Sequence, residues 1–286
     1  MLRISKVSFP GLGIGEMTIN SEAFSLFGYP IAWYAIIITL GMIAAVAYVI
    51  CKSKKIGITY EDVLDYALFV IPIGVIGARL YYVLTKLEEF PTFQSWFDIR
   101  SGGLAIYGGI IAGGLTVLVV SYFKKINFLA FADCVAPGVL LAQGIGRWGN
   151  FMNGEAFGYE TDWFCRMELQ NSLTGIFPKC VHPTFLYESL WNFLGVFLIN
   201  LYAKHKKYDG QIFLMIFCWY GFGRMFIEGL RTDSLYTTIM GVSFRTSQIL
   251  AIIIFIVTAA ILIFFRIKRP VGPLYYRVKK ENKSKK

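Results

Sequence analysis

The chain has 286 residues, of which 56% are hydrophobic, 17% aromatic and only 16% charged. A soluble fold of that length cannot cover its surface with so few charges, whereas lipid is an apolar solvent that tolerates this balance, so composition alone places the chain in a membrane. The net charge of +10 falls in short clusters between apolar runs and at the C-terminal end, as expected of loops facing anionic lipid, which argues against a nucleic-acid partner.

Met1–Phe27 carries Glu16 and Glu22 and lacks a basic-then-apolar start, so no cleavable signal peptide is expected and the first span doubles as the insertion signal. Seven apolar runs fall near 30–50, 66–84, 104–123, 129–147, 184–203, 211–228 and 246–265, each close to the ~20 residues a spanning helix needs. Trp33-Tyr34 lies early in the first, and the second bears Arg79 after Gly74 and Gly77. The 85–103 connection holds Trp96 and Phe97, rings suited to headgroup depth, and leads through Gly102-Gly103 to Tyr107-Gly108-Gly109 in the third. Asp133, Pro137 and several glycines interrupt the fourth; such a helix must be sheltered by others, because lipid cannot satisfy freed backbone groups. Residues 148–182 form the longest connection, and a small extracytoplasmic head is expected there. His182 precedes Pro183, the expected first position of the fifth span, with Tyr187 and Glu188 a turn later. The expected fold is an all-α polytopic membrane protein. It is a single transmembrane domain over 1–286 with about seven helices, the 148–182 head and a basic cytoplasmic tail at 266–286.

Orientation follows from the basic residues. Lys52, Lys54 and Lys55, then Lys124 and Lys125, then Lys204, Lys206 and Lys207, then the tail place 17 of the 28 Lys and Arg on alternate connections. By the positive-inside rule these face the cytoplasm, with the N-terminus outside and the C-terminus inside. The five cysteines show neither a CxxC pair nor zinc-ligand spacing, so no metal or cofactor is expected. Only Cys165 and Cys180 share a connection, where a disulfide and two free thiols both fit. No GxSxG, HExxH or Walker pattern occurs.

Polar groups inside spans are costly and therefore functional candidates. Gln143, Arg147, Asn150 and Gly154 recur at steps of four, three and four, one narrow face if the helix continues through them. The arginine fork and the amide suit a lipid phosphate at the outer headgroups; an arginine anchoring a helix end has the same spacing. Tyr220, Arg224, Glu228 and Arg231 form a second stripe near the outer end of the sixth span. Arg224 and Glu228 can simply neutralise each other, but a lone pair would not need Tyr220 and Arg231 beside it, which favours a site. The glycines around Tyr107 either open a cavity for its phenol or serve small-residue packing. His182 is a site residue or a cap.

The run Gly146-Arg147-Trp148-Gly149-Asn150-Phe151-Met152-Asn153-Gly154-Glu155-Ala156-Phe157-Gly158 resembles the signature G-R-x-G-N-F-x-N-G-E-x-x-G of bacterial prolipoprotein diacylglyceryl transferases. The similarity extends through Trp33-Tyr34, Gly77-Ala78-Arg79, Gly102-Gly103, His182-Pro183 with Tyr187-Glu188, and Tyr220-Gly221 to Arg224 and Glu228. It implies a multi-pass protein of the bacterial cytoplasmic membrane. Such an enzyme moves the diacylglyceryl group of phosphatidylglycerol onto the lipobox cysteine thiol of a prolipoprotein signal peptide and releases glycerol phosphate. Carried over, Arg147, Asn150 and Glu155 hold the lipid headgroup, and Gly154, Gly158, Arg79 and His182 complete the substrate-binding set. Arg224, Glu228 and Tyr220, with Tyr34 and Tyr107, belong to the catalytic cavity. Tyr107 departs from the histidine that many relatives carry, which weakens a mechanism needing an imidazole there. Arginines would lower the attacking thiol's pKa from its usual ~8.5 and stabilise charge growing on the departing phosphate, with Tyr107 or a carboxylate taking the proton. A transporter or channel for an anionic lipid or solute would also use intramembrane arginines, but usually shows inverted repeats, which this chain lacks.

Overall fold

Apolar runs of this length satisfy their own backbone by coiling, and seven long helices result: α1 Trp33–Ser53, α2 Tyr60–Thr85, α3 Ile106–Lys124, α4 Phe128–Met152, α5 Thr184–Tyr202, α6 Gln211–Leu230 and α7 Thr246–Lys268. A computed structural model describes residues 3–98, 102–175, 177–239, 242–268 and 274; apart from Leu274, the basic tail beyond Lys268 lies outside the described residues. All the helices but α5 are long and apolar enough to cross a membrane. In α5 a stripe of Thr184, Glu188 and Asn192, with Ser189 beside it, is buried by protein.

The extramembrane part differs from the all-helical expectation, because it is built from strands. β1 Ile4–Phe9 pairs antiparallel with β2 Ile14–Asn20 on one side and with β5 Met167–Gln170 on the other, and β5 pairs with β6 Lys179–Val181. The head therefore combines the N-terminus with the 148–182 connection. Val7, Phe9, Ile19, Met167, Leu169 and Val181 form its core with Phe185 of α5. Two hairpins complete the strands: β3 Glu22–Leu26 with β4 Tyr29–Ala32 runs into α1, and β7 Tyr236–Ile239 with β8 Val242–Arg245 runs into α7.

These pairings constrain topology. The β1–β5 ladder joins segments separated by α1–α4, so those four helices together make an even number of crossings. The Tyr159 N–H donates to the Leu230 carbonyl at 2.9 Å, which returns α5 and α6 to the same side. An α6 that crosses requires α5 to cross with it, its polar face sheltered, beside the six helices that are long and apolar enough to span.

The described residues divide into two compact units, one of 3–47 with those of 135–268, the other of those of 48–134. In the second unit, a capping box between Thr59 and Asp62 starts α2. Gly77 and Gly108 let the α2 and α3 backbones meet, since a Cβ on either would overlap the other's carbonyl. Lys124 at the end of α3 pairs with Asp62 at 2.8 Å and Asp65 at 2.7 Å on α2.

Candidate active site

The signature run ends α4 and folds back over it. Gly154, at φ +58°, takes the left-handed position; its N–H donates to the Phe151 carbonyl at 3.0 Å and the Glu155 N–H donates to the Asn150 carbonyl at 3.1 Å. This is the Schellman pattern, and it stops the helix at Met152. Gly154 therefore does not continue the face of Arg147 and Asn150. A Cβ there would overlap Ser5 and Asn171, so its close approach is to the head, not to an open groove. The turn returns Glu155 to Asn150, whose amide donates to Glu155 at 3.3 Å and accepts from Arg147 at 3.3 Å. Asn153 donates to the same Glu155 oxygen at 3.0 Å, and Arg3 of the head lies 3.6 Å from the other.

Glu188 on α5 is the hub. Its Oε2 lies 2.5 Å from Arg147 on α4, and its Oε1 lies 2.6 Å from Arg224 on α6 and 3.5 Å from Arg231. Arg224 also meets Glu228 at 2.5 Å, and Arg231 forks onto Asp233 at 2.9 and 2.8 Å. Three arginines thus face three carboxylates. Glu188 and Glu228 are 6% and 2% exposed at the side chain, and charges so buried persist only when paired. Burial would raise the Asp233 carboxyl, but the Arg231 fork outweighs it and holds the group below the usual carboxylate range. Burial likewise opposes the Arg231 charge, yet Asp233 and the neighbouring glutamates raise its pKa further.

Three packing devices set this geometry. Ser189, next to Glu188, donates to the Gly144 carbonyl at 2.8 Å and accepts from the Trp148 indole at 3.1 Å, locking α5 to α4 beside Arg147. Between α5 and α6, Trp191 and Trp219 stack and bond each other's backbone, and side chains at Gly195 or Gly223 would collide with these indoles. Finally, the tail of the signature bridges Arg231: Gly158 pairs with it antiparallel. A Cβ at Gly158 would strike His182 and the Leu230 carbonyl. Arg245 donates to the Gly229 carbonyl at 2.6 Å and to the Tyr159 hydroxyl at 2.8 Å, holding the end of α6 against this loop.

The other expected residues sort by place. The Tyr34 ring lies against Gly149 of α4, close to the signature. Tyr220 packs on the apolar cluster of Leu140, Ile199, Ile212 and Ile216. His182, in the head, meets the Tyr187 hydroxyl at 3.2 Å, and that hydroxyl also meets the Cys165 sulfur at 3.2 Å. Cys165 and Cys180 are free thiols. Pro183 lies one residue before the helix rather than at its first position. Tyr107 and Arg79 belong to the other unit. Tyr107 is half-buried beside Tyr81, with ring centroids 6.5 Å apart. Arg79 is 4% exposed and donates to the carbonyls of Ser95, Trp96, Gly102 and Gly103, at 2.8, 2.9, 2.5 and 3.0 Å. Gly102 and Gly103, at φ +88° and +80°, form the left-handed turn that aims two successive carbonyls at it.

Sequence reasoning placed Glu188 only within a motif. The signal that could have found it was its position inside an apolar run, the rule already applied to Arg147 and Arg224.

The family model described as "Prolipoprotein diacylglyceryl transferase" matches residues 21–264. The chain is 41% identical over 279 residues to the phosphatidylglycerol–prolipoprotein diacylglyceryl transferase of Enterococcus faecalis, covering 93% of this chain and 97% of that one. It is 44% identical over 250 residues to enzyme 1 of that name from Clostridium perfringens, covering 86% and 95%. It is 46% identical over 221 residues to that of Clostridioides difficile, covering 76% and 85%. With six helices long and apolar enough to cross a membrane, the signature turned back at Gly154 and its Arg147 paired with Glu188 of α5, the chain belongs to the prolipoprotein diacylglyceryl transferase family.

Proposed function

We propose that this protein transfers the diacylglyceryl group of phosphatidylglycerol to the lipobox cysteine of prolipoproteins, releasing glycerol phosphate, at the outer face of a bacterial cytoplasmic membrane. The N-terminus is outside and the 17 basic residues on alternate connections are inside. The observation that carries this reading is the convergence of Arg147, Arg224 and Arg231 on Glu188. One carboxylate holds three guanidinium groups aimed at one place, an arrangement that accepts the several oxygens of a phosphate.

The thiolate sulfur forms a bond to the glycerol methylene while that carbon's bond to the phosphate oxygen breaks, and the electron pair leaves with the phosphate. Charge grows on the leaving group, so arginines already held in place stabilise the transition state more than the ground state. Arg147 and Arg224, with Arg231 beside them, take the phosphate, Glu188 and Glu228 keep their forks oriented, and Asn150 with Glu155 faces the headgroup hydroxyls. Tyr107 is assigned the thiol proton. Arg79 is assigned to shaping the 86–105 connection, and Gly154 and Gly158 to placing Glu155 and Arg231.

The test is incubation of purified protein with phosphatidylglycerol and a lipobox peptide, followed by mass spectrometry. A mass gain of one diacylglyceryl group on the cysteine is expected. Lipid or anion flux in vesicles with no peptide modification would overturn the reading in favour of transport.

A further inference from the structure

Arg3, Arg147, Arg224 and Arg231 face Glu155, Glu188, Glu228 and Asp233. An entering phosphodiester adds one negative charge to that set, in surroundings where an unmatched charge is expensive. An anion that enters beside Arg231 therefore competes with a carboxylate for the guanidinium.

The four carboxylates are not equally held. Glu188 is gripped by three arginines from three segments, Glu228 lies buried on α6, and Glu155 is fixed by two asparagines and the Gly154 turn. Asp233 stands on the irregular segment between α6 and β7, its side chain is 48% exposed, and its ion pair is the fork with Arg231. It also takes the fork through both oxygens, the geometry a phosphate would use with the same N–H groups. We infer that Asp233 occupies the phosphate position of the Arg231 fork and that the substrate's phosphodiester displaces it. Asp233 is then a specificity-determining residue, because a lipid must present an anion that competes with a resident carboxylate. A neutral headgroup leaves the fork closed. The inference rests on the phosphatidylglycerol reading above.

The experiment compares wild type, D233N and D233E with phosphatidylglycerol and a lipobox peptide, reading KM for the lipid and inhibition by glycerol phosphate. D233N should lower both constants at least threefold, while D233E stays within twofold of wild type. A KM that is unchanged or raised in D233N would overturn the inference, since that is what a carboxylate merely aiming Arg231 predicts. Should D233N fail to fold, a spin label at L235C, corrected for label taken up by the parent protein, reads the same event. Its mobility should rise on adding phosphatidylglycerol but not phosphatidylcholine, and an unchanged spectrum overturns the inference. Failure of the wild type to modify the peptide would sink the functional reading instead, while the label still tests displacement.

Discussion

Trp191 and Trp219 face each other across α5 and α6 with ring centroids 4.1 Å apart and planes 12° from parallel, and each indole N–H donates to the other's backbone carbonyl, at 3.1 and 3.0 Å. Glu188 lies one turn before the first tryptophan and Arg224 little more than one turn after the second, so this lock sets the register in which the two charges meet. Trp219→Phe and Trp191→Phe keep an aromatic ring but each lose one hydrogen bond and part of the stack. Either should cost about 1 kcal/mol of stability and several-fold in transfer rate. Thermal unfolding in detergent and single-turnover rates check this, and the double variant should fall short of additive because the bonds share one geometry.

Glu188→Gln leaves three arginines without their common anion. Breaking a buried ion pair on one side costs on the order of 3–5 kcal/mol, and transfer should fall at least a hundredfold. Arg147→Lys keeps the charge but not the fork, and should lose at least tenfold in kcat/KM with the protein still inserted. Near-normal turnover in either variant would remove the cluster from the mechanism.

Arg79 is expected to act through the backbone it binds. Arg79→Lys should speed amide exchange around Ser95–Trp96 and Gly102–Gly103 and lower kcat, with KM for phosphatidylglycerol unchanged. A raised KM with unaltered exchange would place Arg79 on the lipid headgroup after all.

Tyr107→Phe should cut turnover strongly while lipid binding persists, if the phenol handles the thiol proton. Tyr107→His should keep substantial activity that falls at low pH as the imidazole protonates near ~6.5. Full activity in the phenylalanine variant would reduce Tyr107 to packing against Tyr81.

Burial disfavours the imidazolium of His182 and holds its pKa below the ordinary 6.5. The unfolded chain therefore takes up the proton at higher pH than the native state does. His182 contributes its stability above about 6.5, and that contribution is lost as the pH falls through its lower folded value. Melting temperature should drop between pH 7 and pH 5 in the wild type and drop less in His182→Gln. His205 is the one other histidine in the chain, so the difference isolates this ring.

How much was legible in the sequence follows from what each feature depends on. The apolar helices and the two arginine stripes were readable because hydrophobicity and helical spacing are local properties, and lipid penalises every departure from them. The end of α4 was also readable in principle, since a glycine two residues past Met152 is a common helix stop. The alternation of Ile4–Phe9 carried a strand signal, but which strand it would join depended on Met167–Gln170, more than 150 residues away.

Glu188 shows the limit most directly. Its spacing from Arg147 and Arg224 in the chain says nothing about the contact, because the three sit on different helices. They meet within 3 Å where the Ser189–Trp148 bond and the Trp191–Trp219 lock hold the helices together. Arg79 shows the same: its place in a span made it a candidate, and only the fold shows that its donors meet the carbonyls of Gly102 and Gly103. Sequence by itself determined which groups could be charged inside the membrane. Tertiary structure decided which of them meet, because the cost of an unmatched charge in a low-dielectric interior is settled by partners that helix packing alone can supply.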